Sequence, residues 1–396
     1  MPSSSCNHMR TATMTLTINK ERLASTFTTL CEIDSPSKKE GKIADHLKNI
    51  FSELGADFLY EDNSAPKTGA ETGNLIIRFN GNLPGGEGLF LACHMDTVQP
   101  GEGIKVVRNG TIFTSEGDTI LGGDDKSGIA SIIELLTILK ENKTRHSTIE
   151  IILTTCEEIG LLGAKSLEHD KLKTKFGYAL DSSGTNQVII GAPAAMRIDV
   201  EVCGVAAHAG LCPEAGINAL TLTASALTRI SQGRIDKDST RNFGVIQGGV
   251  AANIVPEKIT LQGEVRSHSP AKLDQYSREV EKIFRDEVAQ WRGNEATGDK
   301  RPSVTVDTVN DYPALTLDHN EPVIKLIKKS SALGTKDISY IISGGGSDAS
   351  IFCGYGLPTA IISTGMKNVH TVNESLDLED LVNLTELLYT MTTFDK

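Results

Sequence analysis

Leu89-Phe90-Leu91-Ala92-Cys93-His94-Met95-Asp96 is a short apolar run that ends in a histidine and an aspartate two positions apart. It belongs to a series. From Asn19 to about Pro193, helical patterns alternate with such runs, and further strands are predicted at 75–79, 148–155 and 178–180, two of them joined by a helix over 127–140. That order produces an α/β fold with a largely parallel sheet covered by helices. The clearest early helix is expected to start at Ser37. Ser37 and Glu40 match a capping box, and Ile43, Leu47, Ile50, Phe51 and Leu54 recur at helical spacing until Gly55.

Side chains two apart on an extended chain point to the same side, so His94 and Asp96 can converge. Ligand sites in open α/β sheets lie beyond the carboxyl ends of the strands, where this pair falls. The same geometry recurs twice: the run 149–155 leads into Cys156-Glu157-Glu158-Ile159-Gly160, and Tyr178-Ala179-Leu180 closes on Asp181. Successive residues beyond a strand point different ways, so one glutamate can bind a cation while the other faces water as a base. In Leu121-Gly122-Gly123-Asp124-Asp125-Lys126-Ser127-Gly128, two adjacent carboxylates sit in a Gly-rich turn before a helix. Asp125 reads as a solvated charge at that helix start. The glycines before Asp124 permit a backbone path that turns its carboxylate into a site. A phosphate cradle fits poorly, because two acids repel phosphate unless a metal neutralises them. Taken singly, each segment also fits a plainer role as a hydrogen-bonded turn or a solvated helix start. One histidine with several carboxylates suits Zn2+, Co2+ or Mn2+ rather than a thiolate cage. A second histidine would complete a paired-metal set, and of His208, His268, His319 and His370 only His370 follows a late strand, 359–363, of the α/β part.

Between residues 194 and 312 the order changes to a strand (196–202), a helix (217–230), two strands (243–246 and 259–265), a helix and a strand (304–309). This is β-α-β-β-α-β. The second helix carries one apolar stripe of Leu273, Tyr276, Val280, Ile283, Phe284, Val288 and Trp291, which reads as core packing. After Pro313 a helix, a Gly-rich loop and a strand resume the first pattern. The middle segment is therefore expected to be an insertion, dividing the chain into 15–193, 194–312 and 313–396, with hinges at Gly191-Ala192-Pro193 and Asp311-Tyr312-Pro313.

Composition narrows the function. Fifty-one acidic against thirty-nine basic residues give the 396-residue chain a net charge of −12, which repels phosphate backbones and anionic lipid, so neither nucleic acid nor a membrane is an expected partner. No stretch approaches the roughly 20 apolar residues of a membrane span, and the polar leader containing Met9 and Met14 lacks the apolar core of a secretory signal. The expected location is the cytoplasm. Seven scattered cysteines without a CxxC pair suit reduced thiols.

In this order, His94-Met95-Asp96, Gly123-Asp124-Asp125-Lys126-Ser127-Gly128, Cys156-Glu157-Glu158-Ile159-Gly160, Asp181 and Asn368-Val369-His370 resemble the M20 family of metallopeptidases, most closely its peptidase T-like (tripeptide aminopeptidase-like) branch. The resemblance covers nearly the whole chain after about residue 18. It implies a zinc-exopeptidase-like catalytic domain with an inserted α+β, ferredoxin-like lid that also supports a homodimer. It further implies that His94 and Asp181 hold one Zn2+, Glu158 and His370 a second, and Asp124 bridges both. Asp96 would orient His94, Glu157 would be the general base, and the peptide after Asp124 would be cis. Two such ions sharing a hydroxide polarise a scissile carbonyl, while Glu157 takes the proton and returns it to the leaving amine.

Substrate contacts are implied in the same way. His208 in Ala206-Ala207-His208-Ala209-Gly210 resembles the family's lid histidine, Asn253 its asparagine loop, and Arg266 its substrate-carboxylate arginine, a role that suits a planar guanidinium. Ser343-Gly344-Gly345-Gly346-Ser347-Asp348, with Gly345 and Ser347, offers backbone N–H groups for a terminal carboxylate. Two departures bear on specificity. Asn368-Val369-His370-Thr371-Val372-Asn373-Glu374 lacks the second histidine of true tripeptide aminopeptidases, and Asp181-Ser182-Ser183 lacks their acidic stretch. The expected function is hydrolysis of short peptides. The alternatives are hydrolysis of N-acyl amino acids with the same machinery, or a silent metal- or peptide-binding protein, which the presence of Glu157 argues against. A dinuclear phosphoesterase fits poorly, because the chain is acidic and carries no basic phosphate clamp.

Overall fold

The computed structural model describes residues 17–334 and 337–393. The leader, the expected domain start at residue 15 and the end at 394–396 lie outside the described residues.

The centre of the larger sheet is built from Ile149–Thr154, Leu89–His94, Gly177–Ala179 and Thr359–Ile362, side by side in that order and parallel. Every residue of these strands is buried, the pattern of strands covered on both faces. Alternate side chains feed different cores. Leu89, Leu91 and Cys93 join one cluster, Phe90 and Ala92 the other. Outside this centre the pairings are mixed, with Ser339–Ile342 parallel to Gln187–Ala192. Leu75–Phe79 and Phe58–Glu61 extend one side antiparallel, and Gln187–Ala192 joins the other side antiparallel, nine strands in all among the described residues.

The helix Gly123–Glu141 is buried on nearly every side because it lies between the sheet and the helices Lys20–Cys31 and Leu378–Thr393. Gly128 permits that approach, since a Cβ there would meet Cys93 Sγ at 2.6 Å and Leu180 Cβ at 2.8 Å. The early helix does not begin at Ser37. It runs Gly41–Leu54 with no side-chain cap, because the Ser37 hydroxyl is taken by Asp96 Oδ2 at 2.6 Å and Glu40 by the backbone N–H groups of Lys38 and Cys156. Gly55, at φ 93°, ends it as expected.

A second sheet is antiparallel, in the order Gly233–Asp236, Ser239–Gly248, Lys258–Ser267, Ala194–Cys203, Ser303–Tyr312. Without the first, edge strand, this is the expected β-α-β-β-α-β arrangement. The helices Ala219–Thr228 and Pro270–Gln290 cover one face over a separate hydrophobic cluster; Trp291 lies just past the end of the second. The chain passes between sheets at Pro193, which separates Gln187–Ala192 from Ala194–Cys203.

Candidate active site

Because the four central strands are parallel, their carboxyl ends share one side of the sheet, and the chemistry collects there. His94 ends its own strand, Glu157 and Glu158 follow Ile149–Thr154, Asp181 follows Gly177–Ala179, and His370 follows Thr359–Ile362. They line one open cleft of about 490 Å³ together with Asp124, Arg266, Asp311, Tyr312, Gly345 and Ser347.

His94 is 2% exposed, and both its ring nitrogens have partners. Nδ1 lies 2.9 Å from the Asp96 carbonyl oxygen, while Nε2 is 3.1 Å from Asp124 Oδ1 and 4.0 Å from Asp181 Oδ1. The other oxygen of Asp124, Oδ2, is 3.3 Å from His370 Nε2, which is also 3.1 Å from Glu158 Oε1. The two oxygens of one carboxylate thus face two histidines, each with a further acid beside it. The Asp124–Asp125 peptide is cis.

The Asp96 carboxylate does more than the sequence suggests. Oδ1 lies 3.5 Å from His94 Nδ1, but its shorter bond is from the Glu157 N–H at 2.9 Å, and Oδ2 accepts from the Glu158 N–H at 3.2 Å. Asp96 therefore ties the His94 strand end to the Glu157–Glu158 turn. Asp125 is not a solvated charge: it is fully buried, accepts the His94 N–H at 3.3 Å, and burial pushes its carboxyl well up.

The electrostatics are those of an acid cluster short of positive charge. Burial, with Asp348 and Glu158 adding to it against the pull of His94, raises the Glu157 carboxyl. Burial, Asp124 and Glu157 raise Asp181. Burial also opposes ionisation of Asp124, but hydrogen bonds from His370 and His94 outweigh it and hold that carboxyl below its usual range. The same bonds, from Asp124 and Glu158, push the His370 imidazole up to about 10. Imidazole and carboxylate atoms of His94, Asp124 and Glu158 lie within 4.8 Å of one another, and so do those of His94, Asp125 and Asp181. Nitrogen and oxygen donors so disposed fit divalent cations of the zinc type.

Arg266, half-buried next to the end of the strand Lys258–Ser267, reaches the cleft from the second sheet with Nη2 held 3.0 Å from Glu264 Oε2. Gly345 lies beside the Arg266 guanidinium, where a Cβ would stand 3.7 Å from Nη1, but the Gly345 N–H is already bonded to Ser343 Oγ at 3.1 Å and Ser347 caps the helix Asp348–Gly354. Gly346 lies flush on Tyr312, where a Cβ would meet ring carbons at 2.2 Å. His208 and Asn253 are neighbours, through Ala209 N–H to the Asn253 carbonyl at 2.9 Å, but they are exposed and do not line this cleft. Sequence reasoning gave no role to Asp348, buried with Oδ2 on the Thr154 hydroxyl and Oδ1 unpaired, or to Glu374. Asp348 has one local signal, an acid directly after a Gly-rich loop; Glu374 has none.

The profile of Peptidase family M20/M25/M40 matches residues 90–393. The chain belongs to this peptidase family. Among relatives of this M20/M25/M40 member, the uncharacterized protein YqjE of Bacillus subtilis strain 168 is 37% identical over 94% of this chain and 97% of its own. Aminopeptidase PepT from Bacillus cereus ATCC 10987 superposes with a TM-score of 0.85 at 35% identity, covering 95% of this chain and 98% of that one. A tripeptidase from Staphylococcus aureus subsp. aureus Mu50 does so at 0.86 and 33%, with the same coverage. Membership makes the chain a peptide-bond hydrolase, and the structural likeness extends over both sheets.

Proposed function

We propose that this M20 chain is a two-metal exopeptidase that removes residues from short peptides, of the di- and tripeptide aminopeptidase type. The observation that carries the reading is Asp124, whose two carboxylate oxygens face His94 and His370 separately. In it, His94 and Asp181 would hold one Zn2+ and Glu158 and His370 the other, with Asp124 a ligand shared between the two sites; Co2+ or Mn2+ would be substitutes. Bound there, the cations supply Lewis acidity for the scissile carbonyl and lower the pKa of the attacking water.

The chain's own groups do the rest. Glu157 takes the proton from the water and delivers it to the leaving amine, a task suited to a carboxyl whose proton affinity burial has raised. Asp96 holds the Glu157 and Glu158 backbone in place and fixes His94, the latter through its carbonyl. Arg266 receives the substrate's terminal carboxylate, with Gly345 beside it and Ser347 in the same cleft lining, and His208 and Asn253 act as lid groups once the insertion closes. Residues 194–312 form the lid and homodimer surface on a catalytic domain of 15–193 and 313–396, working in the cytoplasm. A cleft of about 490 Å³ has room for a short peptide. The two specificity departures leave every residue of the Asp124 cluster in place.

Hydrolysis of a panel of di- and tripeptides and N-acetyl amino acids tests the proposal. Release of free N-terminal residues is expected; acetate release without peptide cleavage would assign the chain to deacylation instead. Arg266→Ala should raise KM about 10- to 100-fold, the worth of a charged hydrogen bond. C-terminally amidated peptides should lose nothing further. An equal loss on amidated and free peptides would remove Arg266 from carboxylate binding.

A further inference from the structure

His370 and Asp124 come from segments some 250 residues apart, yet their side chains meet at 3.3 Å. Something must hold the two segments in register, and neither residue can do it. His370 is half exposed, on a loop outside any strand or helix. That loop is knit to itself: the Thr371 hydroxyl donates to the Asn368 carbonyl at 2.8 Å, the Asn373 N–H to Thr371 Oγ1 at 3.2 Å, and the Glu374 N–H to the Thr371 carbonyl at 3.1 Å. Wherever Glu374 is fixed, His370 is carried with it.

Glu374 is fixed firmly. It is 1% exposed, and its carboxylate points into the turn that carries Asp124. Oε2 accepts the N–H groups of Leu121 and Gly122, both at 2.9 Å, and Oε1 accepts that of Asp124 itself at 3.2 Å. The turn is shaped around it, for a Cβ on Gly123 would stand 3.0 Å from Oε1. These three N–H groups line the turn that leads into the helix Gly123–Glu141, and a carboxylate is a strong acceptor for them.

We infer that Glu374 is a positioning residue for metal binding: it clamps the His370 loop onto the Asp124 turn and so sets the spacing of the two ligands on either side of the second cation. The inference rests on the two-metal reading above. A group that orients metal ligands from behind is typically worth about 10- to 100-fold in metal affinity when removed.

The test is chelator-competition titration of metal affinity and metal content on the apoprotein of wild type, Glu374→Gln and Glu374→Ala, with the apoprotein melting temperature measured alongside. Glu374→Gln keeps the size but turns an amide NH2 toward backbone N–H groups. The control is Leu376→Ala, which removes a buried side chain from the adjoining strand Ser375–Asp377 and takes away none of the three hydrogen bonds that Glu374 accepts from the Asp124 turn. The expected result is that both Glu374 variants hold one cation about 10- to 100-fold more weakly, while Leu376→Ala melts earlier and binds metal as wild type does. If Glu374→Ala does not fold, Glu374→Gln decides alone. Wild-type affinity for both cations in Glu374→Gln, or an equal loss in Leu376→Ala, overturns the inference and leaves the two-metal reading standing. A wild type that holds no cation overturns both.

Discussion

Glu157→Ala should lower kcat by about 10²- to 10⁴-fold, the usual contribution of a positioned acid–base group, and should leave two metals bound. The second half of that expectation gives the test its force. Glu157 and Glu158 are adjacent, and sequence alone does not tell which binds and which transfers protons. The geometry separates them: Glu158 Oε1 is 3.1 Å from His370 Nε2, inside the Asp124-centred pairs, whereas Glu157 is tied by its backbone N–H to Asp96 and its carboxyl is pushed up by burial and by Asp348 and Glu158. On the proposed reading, removing the Glu157 side chain takes away a proton acceptor and no cation partner. Glu157→Gln should behave alike, since an amide fills the space and cannot take the proton. Steady-state kinetics on the best peptide, with metal counted by elemental analysis, check it. Loss of one metal along with activity would make Glu157 a ligand and reassign the base.

How far the site was legible can be judged residue by residue. His94, Glu157, Glu158 and Asp181 stand out because each follows a largely apolar strand, and burial on both faces leaves strand ends as the place where polar chemistry can begin. Asp124 was flagged by its glycines. Asp125 was misjudged because nothing local distinguishes a solvated acid at a helix start from one buried under His94. The Ser37 capping box failed for a related reason: Asp96, 59 residues away, competes for the same hydroxyl and wins. Glu374 has no local signature, since its three partners lie about 250 residues earlier. The hairpin Val106–Asn109 with Ile112–Ser115 and the edge strand Gly233–Asp236 also escaped. They are short and largely exposed, so they lack the apolar run that marked the centre.

Stripping the protein with a chelator should abolish turnover, a fall of about 10³-fold or more if the cations supply several kcal/mol to the transition state, and Zn2+, Co2+ or Mn2+ should restore it. The same experiment has a signature beyond activity. In the metal-free site Asp124 is kept ionised by His370 and His94, and His370, pushed up to about 10 by Asp124 and Glu158, carries a proton at neutral pH. His94 is likewise pushed up, Asp124 and Asp96 outweighing the burial that opposes its charge. The His370 proton thus occupies a position that a cation would take. Cation binding at pH 7 must expel it, because a histidine ligates only when neutral. Proton release on cation binding is therefore expected, with metal affinity climbing as pH rises from 6 to 8. Titration calorimetry in two buffers of different ionisation enthalpy reads this directly. Metal binding with no proton release and no pH dependence would mean that neither His94 nor His370 is a ligand, and the two-metal reading would fall at its centre, Asp124.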